Sequence, residues 1–505
     1  MPHAAPPAAV AAPTFTYGAS PLLLRRAIQH DGVGDLGLAR VFRRLHGGHA
    51  VRMMAFGTSI TAISGGCTHS LLPYCPMCCG TRDYCGKSHE RCLASSNNTV
   101  GFLRRTLEWM NETWPHPGHR LYNGGRPGAG GLANFLGCLS TWVPEEIDLF
   151  WFEVGGTGNN IAMVERLARQ LYGFRPPAER PAIVALDFWN TRGLKPRSSS
   201  KASPPPGNEI GSLDTGAFMN SGAVLPLARF YGWTVISEHD AFFHAFNTEE
   251  LNPQHLKPDG VHPHGKAVAL YGDLVLAAMW AAHEGWRALG PHGAAELRDE
   301  LTRRPLPAPL AAPADAERSL ACFTFDQPRF TGARESGSAS HIVDAEGGLA
   351  PVIERNTGWE FIANESRSAR ANKPGLQATA AGAELELRVL PVTTTVAGQP
   401  KGFQLDVRGN VTVGVRYLTS YEGMGAAELR CADGCSCATR TLTAHQPKRR
   451  ESVDRVEEVA VALDGGGGGG ARCAVALRTV DLSAAGGASR FKLTRLTVAE
   501  HYSPR

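Results

Sequence analysis

The sequence predicts an α/β region, with a parallel sheet and helices on both faces, followed by an all-β sandwich-like region. Over roughly the first 290 residues, short apolar runs alternate with stretches of helical apolar spacing. This alternation is typical of parallel strands joined by helices that pack on the two faces of the sheet. After a Pro/Ala-rich stretch, the pattern changes to alternating apolar and polar residues broken by Gly, Pro and Asn, which indicates antiparallel strands.

The elements of the first region, expected at residues 31–290, follow an N-terminal segment at residues 1–30 that is expected to be disordered. Apolar spacing predicts helices at residues 35–46, 99–114, 164–172, 224–231 and 270–282. Short apolar runs closed by turn residues predict strands at residues 51–56, 147–154, 182–186 and 233–237. A Cys-rich insertion at residues 64–98 and a polar one at residues 190–222 are expected to form flaps beside the functional site.

Residues 291–317 are predicted to be a linker, because Pro and Ala dominate their composition. The β-sandwich-like region is expected at residues 318–505. Its clearest alternating runs predict strands at residues 384–389, 402–407, 411–417 and 490–498.

The composition argues against two kinds of partner. The formal net charge of +4 over 505 residues is small, so a nucleic-acid partner is not expected. No stretch approaches the ~20 consecutive apolar residues that a membrane-spanning helix needs. The most apolar candidate, at residues 270–282, is interrupted by Asp273. Nothing in the sequence predicts an oligomeric state.

The twelve cysteines of the chain indicate an oxidising compartment. Six of them lie close together in the Cys-rich insertion, at Cys67, Cys75, Cys78, Cys79, Cys85 and Cys92. Zinc is the competing explanation, because a Cys-x-x-Cys spacing occurs among them. Asn-x-Ser/Thr sequons favour secretion and hence disulfides, and they occur at Asn97, Asn111, Asn364 and Asn410. Residues 1–13 show no signal-peptide pattern. Either the signal is absent from this chain or the expected secretory pathway is wrong.

A serine follows the first predicted strand directly. The apolar run from Met53 to Phe56 meets Gly57, Thr58 and Ser59, which is the pattern of a buried strand that ends in a tight turn. Such a serine lies at the carboxyl end of a strand, where open α/β sheets bind their ligands. A turn without any function is the alternative.

An acid and a histidine, Asp259 and His262, are three residues apart after the last predicted strand. A histidine can take the proton of a serine hydroxyl and return it to a leaving group, while a carboxylate fixes its tautomer and stabilises the imidazolium. One short segment would thus bring both partners to Ser59. A solvated turn is the alternative here.

Together with two Gly/Asn segments between them, these motifs resemble the SGNH (GDSL-like) hydrolase superfamily over roughly residues 36–285. The resemblance implies a flavodoxin-like parallel sheet and a serine esterase that needs no metal or cofactor. Ser59 would be the nucleophile, His262 the general base and Asp259 the residue that orients His262. Thr58 replaces the Asp of the family's Gly-Asp-Ser.

The two middle segments would complete an oxyanion hole with the N–H of Ser59. Asn123 is followed five residues later by Gly128, and the resemblance implies that the Gly128 N–H points at the developing oxyanion. The next segment departs from the family's Gly-x-Asn-Asp, because Ile161 stands where the Asp is expected. Asn159 is the preferred side-chain donor, with Asn160 as the alternative, and counting from Glu153 would place Thr157 there.

The β-rich region is similar to a region that trails the hydrolase domain in some plant and algal SGNH-like proteins. The similarity lies in residues 417–425 and in the cysteines that follow them. The expected disulfides of this region involve Cys322, Cys431, Cys435, Cys437 and Cys473.

The expected function is hydrolysis of carboxylic esters, with O-acetyl groups of a polysaccharide or glycoconjugate as the expected substrate. Acyl transfer to a sugar hydroxyl by the same triad is one alternative. A non-catalytic carbohydrate-binding protein is another, and the irregular third segment favours it. His239 is expected to be only a polar surface residue, and a substrate contact is the alternative.

Overall fold

The structure is a computed structural model. It describes residues 10–15, 19–30, 36–62, 101–125, 132–136, 138–143, 146–155, 161–173, 176–189, 224–247, 256–257, 263, 265–290, 293, 296, 306–311, 320–328, 341–343, 349–362, 374–390, 393–394, 403–404, 410–421, 423–447, 452–464, 472–480 and 489–500.

The α/β region is built from the following elements. Its strands are β1 (Ile28–His30), β2 (Arg52–Phe56), β3 (Arg120–Asn123), β4 (Leu149–Glu153), β5 (Ala182–Asp187) and β6 (Thr234–Ser237). Its helices are α1 (Pro21–Arg26), α2 (Leu36–His46), α3 (Ser59–Ala62), α4 (Phe102–Thr113), α5 (Leu139–Trp142), α6 (Ile161–Gly173), α7 (Leu225–Tyr231), α8 (Glu238–Asn247) and α9 (Gly265–Ala288). Short 3-10 helices lie at Leu132–Phe135 and Pro177–Glu179.

The strands form one sheet in the order β3-β2-β4-β5-β6-β1. β2 to β6 run parallel, and β1 is antiparallel to β6 at the edge. The first parallel strand along the chain, β2, lies between the second, β3, and the third, β4. The strand order therefore reverses between β2 and β4, and open α/β sheets bind ligands at the carboxyl ends of the strands that flank such a reversal.

Successive side chains of the central strands point to opposite layers of helices. On β4, Trp151 belongs to the core formed with α2, α4 and α9, whereas Phe150 and Phe152 belong to the core formed with α5, α6 and α7. Because both faces of the sheet are covered, β4 is apolar from its start until Glu153.

The β-rich region consists of antiparallel strands in two main sheets. The strands are β7 (Leu320–Thr324), β8 (Asp326–Pro328), β9 (His341–Val343), β10 (Ile353–Thr357), β11 (Trp359–Ile362), β12 (Gly375–Ala378), β13 (Glu384–Leu390), β14 (Thr393–Thr394), β15 (Phe403–Gln404), β16 (Val411–Thr419), β17 (Ala426–Asp433), β18 (Cys435–Ser436), β19 (Arg440–Thr443), β20 (Val453–Leu463), β21 (Cys473–Val480) and β22 (Phe491–Glu500). One sheet has the order β10-β13-β21-β17-β19. The other has the order β11-β12-β22-β16-β20-β18, with β7 also paired to β22. Apolar side chains from both sheets share one core, as in a β-sandwich.

The two regions are joined through the helix layer that contains α5 and α6. A disulfide connects Cys138, next to α5, with Cys322 on β7, and the Cα atoms are 5.0 Å apart. The guanidinium carbon of Arg495, on β22, lies 5.6 Å from the ring centroid of Trp142. The β-sandwich is thus covalently fastened to the α/β region at a point between β3 and β4 in the chain.

Residues 306–311, part of the predicted linker, run across α6. The Glu165 carboxylate accepts hydrogen bonds from the N–H groups of Leu310 and Ala311, each at 2.6 Å. Arg169 donates to the carbonyl of Pro307, also at 2.6 Å. This stretch is held against the α/β region, unlike a free spacer.

The predicted succession of an α/β region and an all-β region is confirmed, and so are the predicted helices and strands of the α/β region. Disorder across residues 1–30 is wrong for α1 and β1, since Leu24 and Ala27 are buried and Ile28 pairs with Ile236. These two elements are too short to show a periodicity. The run at residues 402–407 contains only the two-residue strand β15 among its described residues.

The disulfides of the β-rich region match the expectation only in part. Cys435 is bonded to Cys473, and Cys431 to Cys437. The expectation that Cys322 pairs within this region is wrong. Cys322 alternates with core residues along β7, so it faces out of the sandwich toward the helix layer.

The insertions at residues 64–98 and 190–222, and with them the question of zinc, lie outside the described residues. In the part of the chain that the structure covers, no helix has the length and hydrophobicity needed to cross a membrane.

Candidate active site at the carboxyl end of the sheet

The turn after β2 carries Ser59 at the strand reversal. Ser59 begins α3, three residues beyond the end of β2, and β2 pairs with β4 through Phe56 and Phe152. Gly57 makes this turn possible, because a Cβ there would overlap the Glu153 carboxylate and the Thr61 hydroxyl. The backbone of Ser59 therefore lies at the position where open α/β sheets generally bind ligands, while its side chain is outside the described part.

The Glu153 carboxylate holds this turn from the neighbouring strand. It is fully buried and ends the apolar run of β4. One oxygen accepts hydrogen bonds from the N–H of Thr58 at 2.9 Å, the N–H of Thr61 at 2.9 Å and the Thr61 hydroxyl at 2.6 Å. The other oxygen accepts the Thr58 hydroxyl. Both residues that flank Ser59 and Ile60 are thus fixed to one buried anion.

The segment after β3 leaves the sheet beside this turn. The N–H of Gly124 donates to the carbonyl of Ala55 on β2 at 2.9 Å. The Asn123 side-chain oxygen accepts the N–H of Gly125 at 2.9 Å, which closes an Asx-type turn. Asn123 therefore shapes the start of the loop that continues to Gly128, which is outside the described residues.

The segment after β4 leaves the sheet on the other side of β2. A Cβ on Gly155 would overlap the backbone of Phe188 and press on the Asp187 carboxylate, so only glycine fits there. Asn159 and Asn160 follow within five residues but lie outside the described part, and the choice between them stays a prediction.

Asp259 and His262 also lie outside the described residues, but the chain is anchored on both sides of them. Lys257, two residues before Asp259, is completely buried. Its ammonium group lies 2.5 Å from a Glu238 carboxylate oxygen and also donates to the Trp189 carbonyl. On the other side Pro263 is buried, two residues before α9 begins.

Glu238, directly after β6, accepts hydrogen bonds from three separate segments of the chain. Besides Lys257, it accepts the N–H of Trp189 at 2.8 Å and the hydroxyl of Tyr271 at 2.5 Å. Burial and the adjacent Glu238 charge hold the pKa of Tyr271 well above its usual value, so this phenol stays a donor. The network fixes the approach to Asp259 against the sheet.

His239 is the one predicted contact whose side chain is described. Its ring lies between Trp189 and Phe243, with centroid distances of 4.8 Å to each. Its Nδ1 lies 2.9 Å from Asp240, whose pKa is lowered chiefly by this hydrogen bond. Only 12% of the His239 side chain is exposed, so an exposed polar position is wrong for it.

The structure thus places the backbone of Ser59 at the strand reversal, and the segments that lead to Gly128 and Asn159 start from the two strands beside β2. Sequence reasoning missed Glu153 and Glu238 as anchors. For Glu153 the available signal was a lone acid at the end of a wholly apolar strand, since such a charge is rarely buried without partners. Glu238 follows the mixed strand Thr234–Ser237 and carried no such signal.

Comparison with known proteins bears on the fold as a whole. The chain matches no protein-family model and no curated protein. It is similar to a crystal structure of a two-domain esterase active on acetylated mannans, co-crystallised with mannopentaose. The match has 14% identity and a TM-score of 0.53, and it covers 95% of this chain and 99% of the other. A second structure, of a two-domain esterase active on acetylated mannans, matches with 14% identity, a TM-score of 0.51 and the same coverage.

The two-region fold is shared. The likeness extends over both regions, so the order of an α/β region and a β-rich region is common to these proteins.

Proposed function

We propose that the chain is a serine esterase of the SGNH type that hydrolyses carboxylic esters. The observation that carries the proposal is the position of Ser59, at the carboxyl end of the strand next to the reversal of strand order. The parallel strands have the order 2-1-3-4-5, which is the flavodoxin-like order. Residues 31–290 would form the hydrolase domain and residues 318–505 an accessory domain.

In the proposed mechanism, the Ser59 oxygen attacks the ester carbonyl while His262 takes the hydroxyl proton. His262 then gives this proton to the leaving alcohol. Water next attacks the acyl-enzyme carbonyl while His262 takes a proton from it, and His262 returns this proton to the Ser59 oxygen as the carboxylic acid leaves. Asp259 orients the imidazole and stabilises its charged form. No metal takes part in these steps.

The negative charge that develops on the carbonyl oxygen needs donors that are already in place. The N–H groups of Ser59 and Gly128 and the side chain of Asn159 or Asn160 would supply them. Each such donor lowers the barrier by about 3 kcal/mol.

The proposed substrates are O-acetyl groups of a polysaccharide. Whole-chain likeness to an esterase active on acetylated mannans supports this choice. The disulfides Cys138–Cys322, Cys431–Cys437 and Cys435–Cys473 support a secreted protein, which would meet such glycans outside the cell.

The test is release of nitrophenol from nitrophenyl acetate and of acetate from acetylated mannan by the full chain. Ser59→Ala and His262→Ala should each reduce turnover by at least about 10³-fold. His116→Ala is the control, because His116 precedes β3 and therefore lies at the opposite, amino end of the sheet; it should keep most of the activity. Equal activity of Ser59→Ala and the unchanged protein would refute the proposal. Acetyl transfer to sugar hydroxyls without release to water would instead favour an acyltransferase.

A further inference from the structure

The Glu153 carboxylate is fully buried, which costs free energy unless hydrogen bonds compensate for the lost water. A carboxylate that is removed from water needs hydrogen bonds to nearly all of its lone pairs. Glu153 has these, because four donors from Thr58 and Thr61 converge on it. An isosteric glutamine keeps one oxygen acceptor and replaces the other with an NH₂ group that cannot accept, so only a carboxylate accepts all four donors as they stand.

The four donors surround the serine in the sequence. Thr58 precedes Ser59, and Thr61 follows it by two residues, so the anion fixes the backbone on both sides of the serine. Ser59 itself makes none of these four contacts. Through these four contacts the carboxylate acts on the serine by holding the turn.

We propose that Glu153 is a positioning residue for the Ser59 nucleophile, an inference that rests on the proposed esterase function. Its carboxylate, supplied by β4, sets the position and direction of the Ser59 backbone on β2's turn. Displacement of a nucleophile by about 1 Å costs on the order of 10²-fold in rate. Loss of the carboxylate consequently lowers kcat, whereas substrate binding to the rest of the site, and with it KM, changes little.

The test compares Glu153→Gln with Glu165→Gln. Glu165 is a matched control, because it is also fully buried and also accepts two backbone N–H groups and a hydroxyl, those of Leu310, Ala311 and Tyr231. Both variants should lower the thermal midpoint. Only Glu153→Gln should lower kcat on nitrophenyl acetate and the rate of covalent labelling by a fluorophosphonate, by about 10²-fold per folded molecule, with KM within about threefold.

A second pair of variants covers the case in which Glu153→Gln does not fold. Thr61→Val removes one hydroxyl donor at nearly constant volume and should lower kcat several-fold, whereas Thr61→Ser keeps the donor and should retain activity. Equal kcat in Glu153→Gln and Glu165→Gln, or in Thr61→Val and Thr61→Ser, would overturn the positioning role while Ser59-dependent turnover leaves the esterase proposal intact. Unchanged activity in Ser59→Ala would overturn both.

Discussion

Replacement of Lys257 by methionine tests the network that anchors the approach to Asp259. The ammonium group and the Glu238 carboxylate are both removed from solvent, with side-chain exposures of 0% and 1%, and their contact is 2.5 Å. Methionine fills a similar volume but cannot donate to Glu238 or to the Trp189 carbonyl. The substitution thus leaves a buried carboxylate without its counter-charge.

The structure sets the size of the effect. Removing one partner of a buried ion pair costs about 3–5 kcal/mol, because the remaining charge stays in a low-dielectric environment. Glu238 keeps the N–H of Trp189 and the hydroxyl of Tyr271, which places the expected loss near the lower end, at about 3 kcal/mol. A further Glu238→Gln change removes the charge but keeps an acceptor, so the double variant should recover at least about half of the loss.

The measurement is urea unfolding followed by tryptophan fluorescence. Every tryptophan except Trp359 lies before residue 290, so the signal reports on the α/β region. Activity on nitrophenyl acetate, measured well below the unfolding midpoint, should fall in Lys257→Met as well, because Asp259 is two residues away. A loss of stability below about 1 kcal/mol would refute the buried ion pair, since exposed pairs give losses of that size. A double variant less stable than Lys257→Met would also refute it.

Two further predictions concern residues outside the proposed triad. Cys322→Ser removes a disulfide between positions 184 residues apart and should lower the free energy of unfolding by about 2–4 kcal/mol. Cys138→Ser should give the same urea midpoint, because it removes the same bond. A double variant much less stable than either single variant would contradict a shared disulfide. Burial and the neighbouring His46 lower the pKa of His283 from 6.5 to about 4. The Nε2 atoms of the two histidines are 3.0 Å apart, and the charges of Glu284 and Arg287 also act on His283. Because the folded state disfavours the charged imidazole, the contribution of His283 to stability should be full above pH 6.5 and should fall as the pH drops toward 4. In urea titrations at pH 7 and pH 5, His283→Gln should show a smaller loss of stability between the two pH values than the unchanged protein. An equal loss in both proteins would contradict this prediction.

The fold was accessible from the sequence because both faces of the parallel sheet are buried. Under that condition β2 and β4 appear as short apolar runs that end in Gly-rich turns, and the helices between them show a regular apolar spacing. The edge strand β1 was missed because three residues carry no periodic signal. The position of Ser59 followed from the same reasoning, since a turn after a buried strand must lie at an end of the sheet.

Contacts between distant parts of the chain were beyond the sequence. Glu153 reaches Thr58 only because β4 is next to β2, and neither periodicity nor composition specifies strand order. The Cys138–Cys322 bond has the same origin, since it depends on which face of the β-sandwich packs on α5. Local patterns predict elements and turns, whereas these contacts depend on how the elements are arranged.

The two buried acids, Glu153 and Glu238, have a common placement that bears on how the site is organised. Each lies at or directly after the end of a parallel strand, and each binds a segment that leads to a proposed catalytic residue: the turn of Ser59 for the first, and Lys257 before Asp259 for the second. A buried carboxylate costs free energy unless its donors are supplied in full, and here protein groups supply them. Because these hydrogen bonds need no ligand, both segments are held before a substrate binds. Such preorganisation is what an acyl-transfer site requires, since fixed groups need no rearrangement when charge develops on the substrate.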